Sequence, residues 1–294
     1  MKTKKECLLC LANQASYVMK LTSQPDKIIQ KTLSATDLAL QSSQNVQAPP
    51  PQLATKVYGT IASITGNPDI YQNIKADCIQ KAKHITDRLL CDKPFFPDVF
   101  SELEWAIHIA ALGNVIDYGS ATSFDINKQI FNLDHLDFAI FDLKPFMDKL
   151  EHSRTLVYIG DNAGENLFDE ILIKTLKTHY PDLRIIYFVR GIPIINDITL
   201  NDLIFHSECK NIFDLCEVVD SGVKSPGFIY EFASPIAQKL FDEADIILAK
   251  GMGNFECLES KEDSRIFLLF KIKCNVVANY LDFNLGRMIF KQNR

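Results

Sequence analysis

Residues 155–165 read Thr-Leu-Val-Tyr-Ile-Gly-Asp-Asn-Ala-Gly-Glu, and the residues from there to His179 have helical spacing. A five-residue apolar run that stops at glycine and restarts as a helix is the opening of a βαβ unit. The same texture continues downstream. Short apolar runs stand at Arg184–Val189, Glu217–Val219, Asp245–Ala249 and Cys274–Ala278, with helix candidates at Leu200–Glu208, Pro235–Glu243 and Arg265–Phe270. Such alternation predicts an α/β fold, a doubly wound and mostly parallel sheet covered on both faces.

Upstream the pattern differs. Leu53–Ile64, Tyr71–Leu90 and Phe100–Asn114 place apolar residues three and four apart, so residues 1–150 are expected to be mainly helical and 151–294 to form the α/β portion. Pro49-Pro50-Pro51 reads as a stiff connection between helices.

Composition narrows the function classes. A chain of 294 residues with 47% hydrophobic and 23% charged residues can bury a large core. Its net charge of -6 gives no basic footprint for nucleic acid and no electrostatic membrane anchor. No apolar stretch approaches the ~18 residues of a membrane helix. The eight cysteines are scattered, and the start lacks an export signal, so the expectation is a cytoplasmic protein with free thiols.

Chemistry is expected where parallel strands end, since open α/β sheets carry ligands on that edge. Asp161 and Asn162 follow the first run, and Asn196-Asp197 follow the second. Each is equally a helix cap. Together they offer hard oxygen ligands from two segments, the donor set of Mg²⁺ or Mn²⁺. The fourth run ends Lys250-Gly251-Met252-Gly253-Asn254, a lysine beside open amides that suits phosphate, although it is no P-loop. The Ser221–Gly227 loop reads as an anion loop or a plain turn. Cys7-x-x-Cys10 reads as a packed thiol pair on a helix, since no further zinc ligands stand at suitable spacing. His108 reads as a core histidine.

GDNAGE (160–165), PIINDIT (193–199) and AKGMGNFE (249–256) resemble the damage-control phosphatases. Cys7-x-x-Cys10, ALGNVIDYG (111–119) and KCNVVA (273–278) agree in the same order along the whole chain. The stand-alone archaeal and bacterial branch is the one it looks most like. The resemblance implies a helical portion before a doubly wound portion, and hydrolysis of small phosphorylated metabolites such as sugar phosphates or phosphopantetheine-like esters. It implies a divalent cation (Mg²⁺ or Mn²⁺, with Co²⁺ or Ni²⁺ as further candidates) on Asp161, Asn162 and Asp197. It assigns Lys250 to the phosphate and places Asn114 and Asp117 in the pocket, with Gly251, Gly253 and Asn254 beside it. Two departures stand out: SGVKSPG (221–227) is less acidic than the family string, and Asn275 replaces a proline at a strand entry.

No cysteine or serine stands in a phosphatase nucleophile motif, so activated water is the expected nucleophile; Asp161 as nucleophile is second, lacking the D-x-D of aspartate-based enzymes. A carboxyl methyltransferase and a non-catalytic metabolite or metal binder are the other classes. The first is weakened because the strand before Gly191 ends Val189-Arg190 without an acid for a ribose.

Overall fold

The computed structural model describes residues 1–22, 24–42, 47–115 and 136–294. Its frame is a seven-stranded sheet in the order β1-β7-β6-β5-β2-β3-β4. The strands are β1 (Phe138–Phe141), β2 (Thr155–Ile159), β3 (Arg184–Val189), β4 (Glu217–Asp220), β5 (Ile246–Lys250), β6 (Ile266–Lys271) and β7 (Met288–Gln292). Strands β6, β5, β2, β3 and β4 are mutually parallel, while β7 runs antiparallel to β6 and parallel to β1. The chain walks from β2 out to β4, then returns to the other side of β2 as β5. The ends of β2 and β5 therefore flank the switch point where such sheets open a crevice.

Successive residues of the central strands enter opposite cores, which is why their sequences are continuously apolar. Leu156, Tyr158, Ile185, Tyr187, Leu248 and Phe267 pack on one face, with α4 (Gln72–Cys91), α5 (Val99–Val115) and α7 (Glu165–His179). Val157, Ile159, Phe188, Ile247 and Leu268 pack on the other, with α10 (Pro235–Glu243), α11 (Met252–Leu258) and α12 (Asn275–Leu281). A third core joins α1 (Lys5–Leu21), α2 (Asp26–Gln41) and α3 (Pro50–Thr65) and takes in Ile194 from beyond β3. The remaining α-helices of the described chain are α6 (Leu143–Leu150), α8 (Leu200–Phe205) and α9 (Ile212–Leu215).

Several expectations change. Residues 265–270, expected as a helix, are strand β6: Ile266, Leu268 and Phe270 face one core and Phe267 and Leu269 the other. A five-residue apolar run has no period of its own, and burial on both faces selects the strand. Residues 274–278, expected as a strand, instead start α12, where the Cys274 Sγ accepts from the Val277 amide at 3.5 Å. Asn275 therefore begins a helix and enters no strand. Pro49 caps α3, with Pro50 and Pro51 in its first turn. The sheet also begins earlier than residue 151, with β1, and α4 and α5 share its core rather than building a separate one.

The α5–α7 contact is close: a Cβ on Gly113 would stand 3.2 Å from the Phe168 ring. Phe168 is completely buried. Phe168→Ala is expected to cost about 3–5 kcal/mol, read as a lower urea midpoint at unchanged slope.

Candidate functional site

A cavity of about 800 Å³ opens at the ends of β2 and β5. Asp161, Asn162 and Glu165 line it from the β2–α7 turn, and Ile195, Asn196 and Asp197 from the segment after β3. Met252, Gly253 and Glu256 come from α11, and Lys271 to Val276 from the end of β6. The far wall is α1 (Glu6, Cys7, Cys10, Leu11, Gln14) and α3 (Pro50, Pro51, Ala54).

The two acidic turns meet through backbone. The Ile198 amide donates to the Asp161 carbonyl at 2.9 Å, and the Ala163 amide donates to the Asn196 carbonyl at 2.8 Å. Asn162 and Asp197 form an antiparallel bridge. Ile195 holds a φ of 48°, costly for a β-branched residue, in the turn that presents Asp197. Gly164 (φ 92°) closes the other turn, where a Cβ would stand 2.9 Å from the Cys78 carbonyl oxygen.

Around these turns six ionisable side chains are almost wholly buried: Asp161, Glu165, Asp169, Asp197, Arg190 and Lys250. The Arg190 Nε donates to Asp197 Oδ2 at 2.7 Å, and its Nη2 stands 3.8 Å from Asp161 Oδ1. The Asn162 Nδ2 donates to Asp161 Oδ2 (3.0 Å) and to Glu165 Oε1 (2.7 Å). Behind Glu165 the Lys250 ammonium contacts Glu165 Oε2 at 3.2 Å and Asp169 Oδ1 at 2.6 Å, while the Tyr158 and Tyr187 hydroxyls donate to Asp169.

Four carboxyls against two cations leave an excess of negative charge in a dry place. Burial, then Glu165 and Asp197, push the Asp161 carboxyl up to about 8, against the pull of Arg190 and Lys273. Burial lifts Asp197 to about 6, although Arg190 lowers it. Burial opposes the charge on Lys250, but Asp169 and Glu165 outweigh it and hold the ammonium above its usual range.

Among the described residues no group of three or more His, Cys, Asp or Glu side chains is arranged to hold a metal ion. The donor set here is of another kind, two carboxylates and an amide. With the Asn162 nitrogen committed to two carboxyls, its oxygen is the atom left for a cation. All-oxygen donors with surplus negative charge fit a hard divalent ion.

The structure brings Asp161, Asn162 and Asp197 together and lines the cavity with Gly253. Three other candidates lie behind the cavity wall rather than on it. Lys250 is completely buried and pairs with Asp169 and Glu165 behind the cavity wall. Asn254 is also completely buried. Its Nδ2 donates to the Lys250 carbonyl at 2.6 Å, and its Oδ1 accepts from the Phe228 amide at 2.7 Å and Arg190 at 3.2 Å. Gly251 (φ 86°) lies against Asp161, where a Cβ would stand 1.9 Å from Oδ2; the glycine shapes the site without facing the cavity. Asp117 falls outside the described residues, as does the side chain of Asn114, whose backbone lies in the last turn of α5. Pro226 brings the 221–227 loop to the rim, and Cys7 and Cys10 lie on α1 facing the cavity. His108 is half-buried, bonded at Nδ1 to the Glu104 carbonyl and edge-on to Phe138.

Sequence reasoning missed Arg190, Glu165 and Asp169. Glu165 was in plain view within GDNAGE, and Arg190 was visible as a charge ending an apolar strand. Asp169, four residues beyond Glu165 on α7, is ordinary helix sequence, and only its burial marks it.

The damage-control phosphatase ARMT1-like domain matches residues 3–289. The chain belongs to that family. A damage-control phosphatase of Pyrococcus horikoshii is 28% identical over 295 residues, covering 100% of this chain and 99% of the relative. One from Archaeoglobus fulgidus is 29% identical, covering 99% of both. The crystal structure of a DUF89 family protein from P. horikoshii superposes with a TM-score of 0.90 at 29% identity over 100% of both chains. Membership alongside relatives named as phosphatases supports a phosphatase role for the chain. No helix among the described residues is long and apolar enough to cross a membrane.

A lysine on phosphate and a lysine in a buried ion network respond differently to removal. Lys250→Met is expected to destabilise the fold by about 3–5 kcal/mol, because Asp169 is left buried without its cation. Loss of activity with an unchanged melting temperature would contradict that placement.

Proposed function

We propose that the chain is a divalent-metal-dependent phosphomonoesterase of small phosphorylated metabolites, with Asp161, Asn162 and Asp197 holding the cation. The observation that carries this reading is the convergence of these oxygen donors, at the sheet's switch point, beside a cluster of four buried carboxyls and two buried cations. A bound divalent ion supplies Lewis acidity, neutralising phosphate oxygens and making a water more acidic.

The chain's own residues do the rest. Lys273 lines the cavity, and its charge acts on Asp161, so it takes the phosphate contact first expected of Lys250. Arg190 fixes the separation of the two aspartates, and Glu165 fixes the amide of Asn162. Hydrolysis joins a water oxygen to phosphorus and breaks the bond to the alcohol oxygen, which leaves with a proton. Water is favoured over Asp161 as nucleophile because Gly251, Asn162 and Arg190 already crowd that carboxylate. A volume near 800 Å³ leaves room for a metabolite beyond its phosphate.

Hydrolysis of p-nitrophenyl phosphate should need Mn²⁺ or Mg²⁺ and fall to background in Asp161→Ala and Asp197→Ala. Glu165→Gln, which disturbs the support of Asn162, should lose about 10–100-fold in activity or metal affinity. No turnover with any divalent metal would sink the proposal.

The buried carboxyls also set a pH dependence. Asp161 and Asp197, lifted to about 8 and about 6, stand above the ordinary carboxylate range near 4. Raised carboxyls favour the protonated folded state, so their contribution to metal-free stability is present at low pH and fades as pH rises through those values. Cations bind the ionised form. The rise in melting temperature on adding Mn²⁺ should therefore be larger near pH 8.5 than near pH 6; an equal shift at both would count against these ligands.

A further inference from the structure

Three of the eight cysteines line the cavity, and they come from two elements far apart in the chain: Cys7 and Cys10 from α1, Cys274 from the cap of α12. The proposed phosphate chemistry makes no use of them. Burial raises the Cys7 and Cys274 thiols; Cys274 and Cys10 push the first further, and Cys10 pushes the second, so the sulfurs stand as one cluster. Their access to solvent differs. Cys7 is buried, Cys274 half-buried and Cys10 exposed. Backbone amides donate to both inner sulfurs, Lys4 to Cys7 and Val277 to Cys274, each at 3.5 Å. The Glu256 carboxyl also acts on Cys7 and Cys274, so paired thiolates are disfavoured there, whereas a disulfide carries no charge to repel.

Geometry selects the pair. Cys7 and Cys10 stand three apart on a regular helix, with Cβ atoms about 5–6 Å apart. A disulfide wants about 3.5–4.5 Å, so joining these two would unwind the start of α1. Cys10 is the thiol an oxidant meets first, and Cys274 is the accessible thiol across from it on another element. We propose that Cys10 and Cys274 form a regulatory disulfide when the protein meets a hydroperoxide, stapling α1 to the turn between β6 and α12. The Cys10 sulfur takes one oxygen as the O–O bond breaks, and the rest of the peroxide leaves as water or an alcohol. The Cys274 sulfur then bonds to the Cys10 sulfur, the S–O bond breaks, and the oxygen leaves as water. Two thiols lose two hydrogens, and the peroxide is reduced by two electrons. Lys273 precedes Cys274 and lines the cavity, so the staple ties the turn that carries it to the opposite wall.

The test treats the native full chain with hydrogen peroxide, blocks the remaining thiols with iodoacetamide and maps the peptides by mass without reductant. The Cys10 and Cys274 peptides should appear joined, with two of the eight thiols lost and the chain lighter by about 2 Da before blocking. Dithiothreitol should reverse both changes. The link should survive in Cys7→Ser and vanish in Cys10→Ser and in Cys274→Ser, where serine keeps a capping oxygen for α12. A Cys7–Cys10 link, Cys10 oxidised without a partner, or thiols that pair only in urea would each overturn the assignment. The disulfide does not depend on the phosphatase reading, but its effect on turnover does. Hydrolysis of p-nitrophenyl phosphate should fall roughly 5-fold or more on cross-linking and return with dithiothreitol; full turnover by the cross-linked protein overturns the regulatory role. If the reduced protein turns over no phosphate ester, the phosphatase reading fails by itself, and the peptide map still decides the disulfide.

Discussion

Four carboxyl groups, those of Asp161, Glu165, Asp169 and Asp197, are taken out of water around the Arg190 guanidinium and the Lys250 ammonium. Isolated buried charges of this kind would not be tolerated. They persist here because each is clamped: Asp169 by Lys250 and two tyrosine hydroxyls, Asp197 by Arg190, Glu165 by Lys250 and Asn162, and Asp161 by Asn162. Asp161 and Asp197, pushed up to about 8 and about 6, line the cavity together with Glu165. Much of the surrounding fold serves to hold this arrangement.

That service spans both parts of the chain. Lys75 of α4 is buried between Asp69 (2.6 Å) and Asp202 (2.9 Å). Asp202 in turn accepts from the Thr199 amide and hydroxyl, two residues beyond Asp197. Ile194, just before the strained Ile195, is held in the core of α1, α2 and α3. The helical half therefore fixes the second acidic turn and supplies the cavity's far wall, whereas the sheet fixes the first. The two acidic turns stand on the sheet edge, and the facing wall of the cavity comes largely from α1, α3 and α11.

Glycine governs the closest approaches. Gly251 admits the Asp161 carboxylate against bare backbone, and Gly164 lets α4 press on the turn that carries Asn162. Neither position tolerates a side chain in its observed conformation, so the string linking Lys250 to Asn254 works as scaffold. Its lysine and its asparagine tie β5 to α7 and to the loop before Phe228, behind the cavity wall.

The sequence by itself determined the α/β class, the first four strands of the parallel region, and the two acidic turns that the fold brings together. Each of these depends on local signals: uninterrupted apolar runs, glycine turns, and polar residues at strand ends. It misjudged residues 265–278, because a short apolar run is read as helix or strand only by what buries it, and β6 is covered on both faces. It did not reveal that Lys250 is buried, since a lysine beside glycines has the same local appearance whether it faces ligand or core. Tertiary structure alone decided that its partners are Asp169, 81 residues away, and Glu165. Charge pairing across that separation has no period or spacing in the chain. It exists only once β2, β5 and α7 have packed together.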